Sequence, residues 1–189
     1  MSSIEAAAAQ FLERVPSYLW DGERLPVPIE EIADSHLGLL VRDVEDLESA
    51  EGLPEIVSGQ RLSGLLLPHR GEIWVNAAEA REWPPRRRFT IAHEIAHWCL
   101  HRERSHTIHC RSTTLVGEEP APAPDDHEPL PPAEDEANAF AAAVLMPPEL
   151  VREQYVSCDR DFALLCERFA TSGAAMGRRL HAVVPRAEN

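Results

Sequence analysis

Lysine is absent from this sequence. All 18 basic residues are arginine, set against 32 acidic ones, so the 189-residue chain carries a formal net charge of −14. Phosphate binding rests on a basic face, and this balance argues against nucleic acid as a direct partner. Long apolar runs are also missing: nothing approaches the ~20 residues that a membrane-spanning helix needs. Residues 1–15 contain Glu5 and Glu13 and no basic leading segment, unlike a secretory signal. The expected address is therefore cytoplasmic, with no membrane partner. The four cysteines, Cys99, Cys110, Cys158 and Cys166, form no CxxC pair, which speaks against a structural zinc knuckle. In a reducing compartment they are expected to stay thiols. The remaining composition is ordinary for a globular chain, with 44% hydrophobic residues and a mean hydropathy of −0.28. One domain spanning residues 1–189 is expected, long enough to bury a sizeable core.

Against that background stands His93-Glu94-Ile95-Ala96-His97. On a helix, a spacing of four puts both imidazoles on one face about one turn apart, where they can reach a single metal ion. Glu94, beside the first histidine, is placed to take a proton from a water that the metal polarises. The flanks favour a helix: Pro84-Pro85 suit its first turn, and no Gly or Pro interrupts Arg86–His101. Ile91, Ile95 and Trp98 form an apolar stripe apart from the histidines. Two surface histidines on an amphipathic helix would share the spacing, but the helical context favours a catalytic zinc site.

Such a site needs a third protein ligand and one open position. The run from Glu134 to Pro147 is the best source, because it is rich in alanine and bracketed by Pro131-Pro132 and Pro147-Pro148. Alone, it would read as a core helix with acids suited to its N-terminus. Its first turn offers Glu134, Asp135 and Glu136. At about 100° per residue, Glu134 shares a mostly small face with Ala137, Asn138, Ala141 and Leu145. Glu136 points roughly 200° away, alongside Phe140 and Ala143. The small face would let this helix approach the histidine helix closely, so Glu134 is the expected third ligand.

Arg88-Phe89-Thr90-Ile91-Ala92-His93-Glu94-Ile95-Ala96-His97, followed by Glu134, Ala137-Asn138, Phe140-Ala141-Ala142 and Leu145-Met146-Pro147, resembles the ImmA/IrrE family of zinc metallopeptidases. The resemblance extends upstream through Ile73-Trp74-Val75-Asn76 and, weakly, through Ile29–Val44, covering roughly residues 25–185. It implies an α+β, mainly helical, zincin-like domain with a small antiparallel sheet beside the HExxH helix. It also implies Zn2+ held by His93, His97 and Glu134, the ligand Glu standing four residues before Asn138, with Glu94 as general base. Family members are intracellular endopeptidases, and several cleave helix-turn-helix repressors encoded nearby, so a repressor is the implied protein substrate. Two other classes compete. One is a non-hydrolytic, zinc-stabilised antirepressor that sequesters its partner, for which Glu94 would be unnecessary; the other is a stand-alone DNA-binding regulator, which the acidic balance disfavours.

Along the chain, helices are expected at Ile4–Leu12 and Ile29–His36, then a strand at Leu39–Val44. A hairpin of Leu62–Leu67 and Glu72–Asn76 should lead straight into the histidine helix. The edge of that hairpin could take an extended peptide, or the hairpin could be purely structural. Gly117–Ala133, with six prolines, five acids and no arginine, reads as a flexible connector. Helices at Asp161–Phe169 and Ser172–Val184 superficially resemble a helix-turn-helix, with Arg178, Arg179 and His181 facing outward, although core packing is the simpler role. Arg81, Arg86, Arg87 and Arg88 form the one basic cluster, which could grip an acidic partner or be a solvated face. His101, His106, His109 and Cys110 could modulate the zinc but are left outside the site. The group stabilising the oxyanion is unassigned, with Tyr155 and Tyr18 the only tyrosines.

Overall fold

Helix α4 (Pro84–Leu100) lies at the centre of the computed structural model, which describes residues 3–47, 62–101 and 132–184 and the backbone of 108–111. Residues Thr90 to His97 of α4 are all buried, so the histidine face is as enclosed as the isoleucine stripe. Around it run α1 (Ser3–Glu13), α2 (Ile29–Glu31) continuing into a π-helical turn (Ile32–His36), and strands β1 (Leu40–Val44), β2 (Leu62–Leu67) and β3 (Glu72–Asn76). A six-residue helix, α3 (Ala77–Glu82), separates β3 from α4, so the hairpin does not lead directly into the histidine helix as expected. Asn76 ends the strand and starts α3, its Oδ1 accepting from the Glu79 backbone N–H at 3.1 Å. β4 (Ile108–Arg111), α5 (Pro132–Leu145), α6 (Pro148–Ser157), α7 (Phe162–Phe169) and α8 (Gly173–Val183) follow.

The sheet order is β1-β3-β2-β4. β2 pairs antiparallel with β3 and with β4, but β1 pairs parallel with β3, Leu40 opposite Glu72 and Val44 opposite Asn76. The sheet is thus mixed, where an antiparallel one was expected. The hairpin partner β2 already occupies one edge of β3, and β1 adds to the other in the same direction. Both hairpin edges are therefore taken, and the strands that border the sheet are β1 and β4.

α4 packs across β2, β3 and β4, and α5 packs along α4. Ala137 and Ala141 of α5 are fully buried, and their small side chains leave the two helices room to approach. Ile73, Val75 and Leu66 of the sheet share one apolar cluster with Ile91 and Ile95 of α4 and Phe140 and Val144 of α5. Phe11 of α1 extends it, its ring centroid 5.6 Å from that of Phe140.

The arginines behave as ties within the fold. Arg81 pairs with Glu45, Arg86 with Glu79, and Arg87 with both Glu30 and Asp43, while Arg88 donates to the Val27 carbonyl at 2.6 Å. α7 and α8 are capped by Asp161 and Ser172, as their N-terminal sequences suggest. Arg179, however, is buried: its Nε donates to the Met146 carbonyl at 2.8 Å and its guanidinium pairs with Glu5 of α1. It anchors α8 to the body of the fold, which removes it from any DNA-facing surface. Of the expected connector, residues 117–131 lie outside the described residues, and Pro132-Ala133 already belong to α5. Among the described residues no helix is long and apolar enough to cross a membrane.

Candidate metal centre

Helical spacing sets the two imidazoles on one stripe of α4. His93 and His97 are each 1% exposed, and their Nε2 atoms lie 2.9 Å apart. α5 brings Glu134 to the same point: its Oε2 is 3.2 Å from His93 Nε2 and its Oε1 is 3.4 Å from His97 Nε2. The three expected ligand residues are therefore together, two nitrogens and a carboxylate, all within 4.8 Å of one another. Asp135 is exposed and reaches none of these contacts.

This donor set fits zinc. Ligand atoms about 2.0–2.2 Å from a tetrahedral ion stand about 3.4 Å from each other, close to the separations seen here. Three protein ligands would leave the fourth position open. The electrostatics agree with a cation at this point. Burial works against ionisation of Glu134, yet hydrogen bonds from His93 and His97 outweigh it and hold the carboxyl at about 2. Burial also lowers the pKa of His97, against the pull of Glu134, which favours the neutral imidazole that a metal requires.

Glu94 is fully buried, and neither carboxylate oxygen has a hydrogen-bond partner. Burial first, then the charge of Glu134, push its carboxyl well above the usual range; the nearby Leu66 backbone opposes this without a full hydrogen bond. A buried carboxylate left unpartnered costs stability, so packing alone gives no reason for its presence beside the cluster. Gly64 of β2 makes room for it. A Cβ there would stand 3.4 Å from Glu94 Oε1 and 2.3 Å from Thr90 Cγ2.

A second layer of contacts was not anticipated. His93 Nδ1 lies 3.0 Å from Asn138 Oδ1, so the family landmark on α5 is also a partner of the first histidine. His97 Nδ1 lies 3.0 Å from His101 Nδ1, and His101 Nε2 lies 2.9 Å from Glu136 Oε2. His101 extends the stripe by one more turn, 93, 97, 101, and that i+4 repeat was the available signal. Glu136, set aside on angular grounds, reaches His101 because its longer side chain leaves the helix toward α4. Tyr18 is exposed and Tyr155 packs on α6 against the core. His106 lies outside the described residues, and of His109 and Cys110 only the β4 backbone is described.

A model of the Peptidase_M78 family, the IrrE N-terminal-like domain, matches residues 56–181, which include α4, α5 and most of the sheet. No curated protein matches the chain.

Proposed function

Because this chain belongs to the Peptidase_M78 family of IrrE N-terminal-like domains, we propose that it is a zinc-dependent endopeptidase with His93, His97 and Glu134 as ligands and Glu94 as general base. The observation that carries this reading is the convergence of three ligand atoms beside a buried carboxylate with no partner of its own. Bound there, zinc would supply a Lewis acid and bring the pKa of a water near neutrality. Glu94 accepts the proton of the attacking water and later delivers it to the leaving amine. Its enclosed setting, with an elevated proton affinity, suits a group that must both take and return a proton. Asn138 and Glu134, both on α5, hold the first histidine from two sides. β4 borders the sheet among the described residues and packs against α4, and its edge is where an extended peptide would add. The resemblance of the two motifs to ImmA/IrrE peptidases makes a helix-turn-helix repressor the proposed substrate, and the acidic balance of the chain directs any effect on transcription through that protein partner.

The test pairs metal analysis with a cleavage assay on helix-turn-helix repressors, beginning with any encoded near this protein. The purified chain should hold about one zinc and cleave, and chelation should stop it. Glu94→Gln should keep the zinc while cleavage falls by about 10²–10⁴-fold. Glu134→Ala should lose the metal, and Asp135→Ala should not. Undiminished relief of repression by Glu94→Gln without cleavage would replace this reading with the sequestering antirepressor.

A further inference from the structure

Away from the metal centre, α1, the turn after it and the junction of α5 with α6 enclose a groove of about 440 Å³. Its floor is apolar, with Leu12, Val15 and Trp20 from α1 and the turn, and Ala143 and Pro147 from α5 and the residue joining it to α6. The Trp20 indole N–H donates to the Arg24 carbonyl at 2.8 Å, which fixes the turn that carries Asp21 and Gly22. Carboxylates surround this floor. Glu5, Glu13, Asp21 and Glu149 all line the groove, and among the described residues no basic side chain does. Arg179 and Arg152 pair with Glu5 and Glu149 from outside it. Asp21 instead accepts the backbone N–H groups of Arg24 and Glu23, at 2.7 and 3.0 Å, and they hold its carboxyl below its ordinary value. The Arg24 guanidinium turns to the Leu19 carbonyl at 2.8 Å. Glu13 is exposed, and no arginine of the described residues forms an ion pair with it.

We propose that this groove docks a basic, apolar segment of the protein partner, apart from the metal centre. Its volume falls in the range of about 300–1,000 Å³ typical of binding sites. The floor suits an aliphatic or aromatic side chain, but a wholly apolar ligand would cover the acids of the rim and leave their charge unmatched. An acidic ligand would be repelled. An arginine or lysine beside the apolar side chain meets Glu13 and Asp21 with its charge and lays its methylene stem along the floor. The identity of the partner rests on the repressor reading above: a surface that binds DNA is basic, and the net charge of −14 on this chain draws such a surface in. α5 links the groove to the centre. Glu134 and Ala143 both lie on it, about 13 Å apart along its axis, a span that about four residues of extended chain cover. A partner anchored in the groove is thus held within reach of the centre, while no groove residue touches the reacting atoms.

The experiment uses the full chain and a fluorescently labelled dodecapeptide of leucine, alanine and arginine, with glutamate-for-arginine and serine-for-leucine versions as controls. Anisotropy titrations compare wild type with the double variant Glu13→Gln/Asp21→Asn and with Ala9→Leu. Asparagine keeps the carbonyl oxygen that accepts from Arg24 and Glu23, so the double variant removes charge and spares the turn. Ala9 lines the groove, and a larger side chain there fills it. Melting temperatures within about 3 °C of wild type confirm that the variants fold. The basic peptide should bind wild type, and each control peptide should bind more weakly. The double variant should lose about 2–30-fold in affinity, the loss shrinking as salt is raised. Ala9→Leu should weaken binding at every salt concentration. On a repressor substrate both variants should raise KM and leave kcat unchanged, whereas Glu94→Gln should bind the peptide like wild type. Failure of the basic peptide to bind wild type, or equal binding by wild type and both groove variants, overturns the proposal. So does a KM unmoved by variants that lose the peptide, or self-association that these variants abolish, which would make the occupant a second copy of the chain. If no repressor is cleaved but the peptide still binds through the groove, the peptidase reading fails and the docking site stands.

Discussion

Gly64 is the position at which a single methyl group should displace the candidate centre. It is buried in β2, where α4 crosses the sheet. A Cβ at this residue would stand 2.3 Å from Thr90 Cγ2 and 3.1 Å from the Trp74 carbonyl oxygen. Carbon atoms pack at about 3.5–4.0 Å, so the gap is short by more than 1 Å. Neither neighbour yields easily: Trp74 contributes backbone from the paired strand β3, and Thr90 is β-branched, with few rotamers open to it in a helix. Relief therefore requires α4 to move away from β2. Overpacking of this kind costs about 1–3 kcal/mol, which lowers the melting temperature of a chain this size by about 2–12 °C. Because Glu94 and the histidines ride on the same helix, a shift of about 1 Å would also cost about 100-fold in activity. Thermal unfolding of Gly64→Ala, Thr90→Ser and the double variant checks the reasoning. Thr90→Ser removes the offending methyl, so the double variant should be more stable than Gly64→Ala alone. An open site would instead gain slightly from Gly→Ala through the unfolded chain. A Gly64→Ala protein as stable as wild type, or losses that simply add in the double variant, would refute the close approach.

Glu94→Gln should stabilise the metal-stripped protein in a pH-dependent way. Glu94 is raised in the folded state, chiefly by burial, so the wild type loses stability as pH climbs above the unfolded carboxyl value; the variant's advantage should grow from near zero at about pH 4 to at most about 4 kcal/mol at pH 7, read by urea unfolding at several pH values. A pH-independent difference would show that Glu94 is not held uncharged. Arg179→Ala should destabilise by about 3 kcal/mol in the same assay, because it breaks the ion pair with Glu5 and the hydrogen bond to the Met146 carbonyl made by a buried side chain. Arg179→Lys should recover little, since an ammonium cannot span both partners, and a loss under about 0.5 kcal/mol for the alanine variant would count against the anchor.

What could be read from the sequence was what depends on local spacing. His93, Glu94 and His97 lie within five residues, so the helical repeat alone puts both imidazoles on one stripe, and the small face of α5 pointed to Glu134 over its neighbours. The hairpin and the caps of α7 and α8 are local features too. What could not be read requires the distance between elements. The parallel β1–β3 pairing joins residues more than 30 apart with undescribed chain between them, and no periodicity encodes it. The arginine ties were invisible for the same reason: a charge run looks solvated until Glu30, Asp43, Glu45 and Glu79 arrive from other elements. Glu136 stays outside the group that could hold a metal, as expected, but its contact with His101 could not be read, because a flexible three-bond side chain carries its carboxylate well off its Cα direction.

The geometry of the α4–α5 pair explains why the candidate centre sits in the core rather than on the surface. Each histidine of the stripe meets a polar residue of α5: His93 meets Asn138 and Glu134, His97 meets Glu134, and His101 meets Glu136. These contacts form only at a close helix separation, which the buried Ala137 and Ala141 permit. Close packing excludes water, and that strengthens every charge interaction in the cluster. It also leaves two imidazole nitrogens and the unpartnered Glu94 without solvent, beside a half-buried Glu134. A metal-free chain must hold these groups together against their desolvation, and a cation among them would relieve much of that cost. Metal binding to such a site should therefore raise the stability of the fold as well as create chemistry, because an ion that binds the folded chain alone shifts the folding equilibrium toward it.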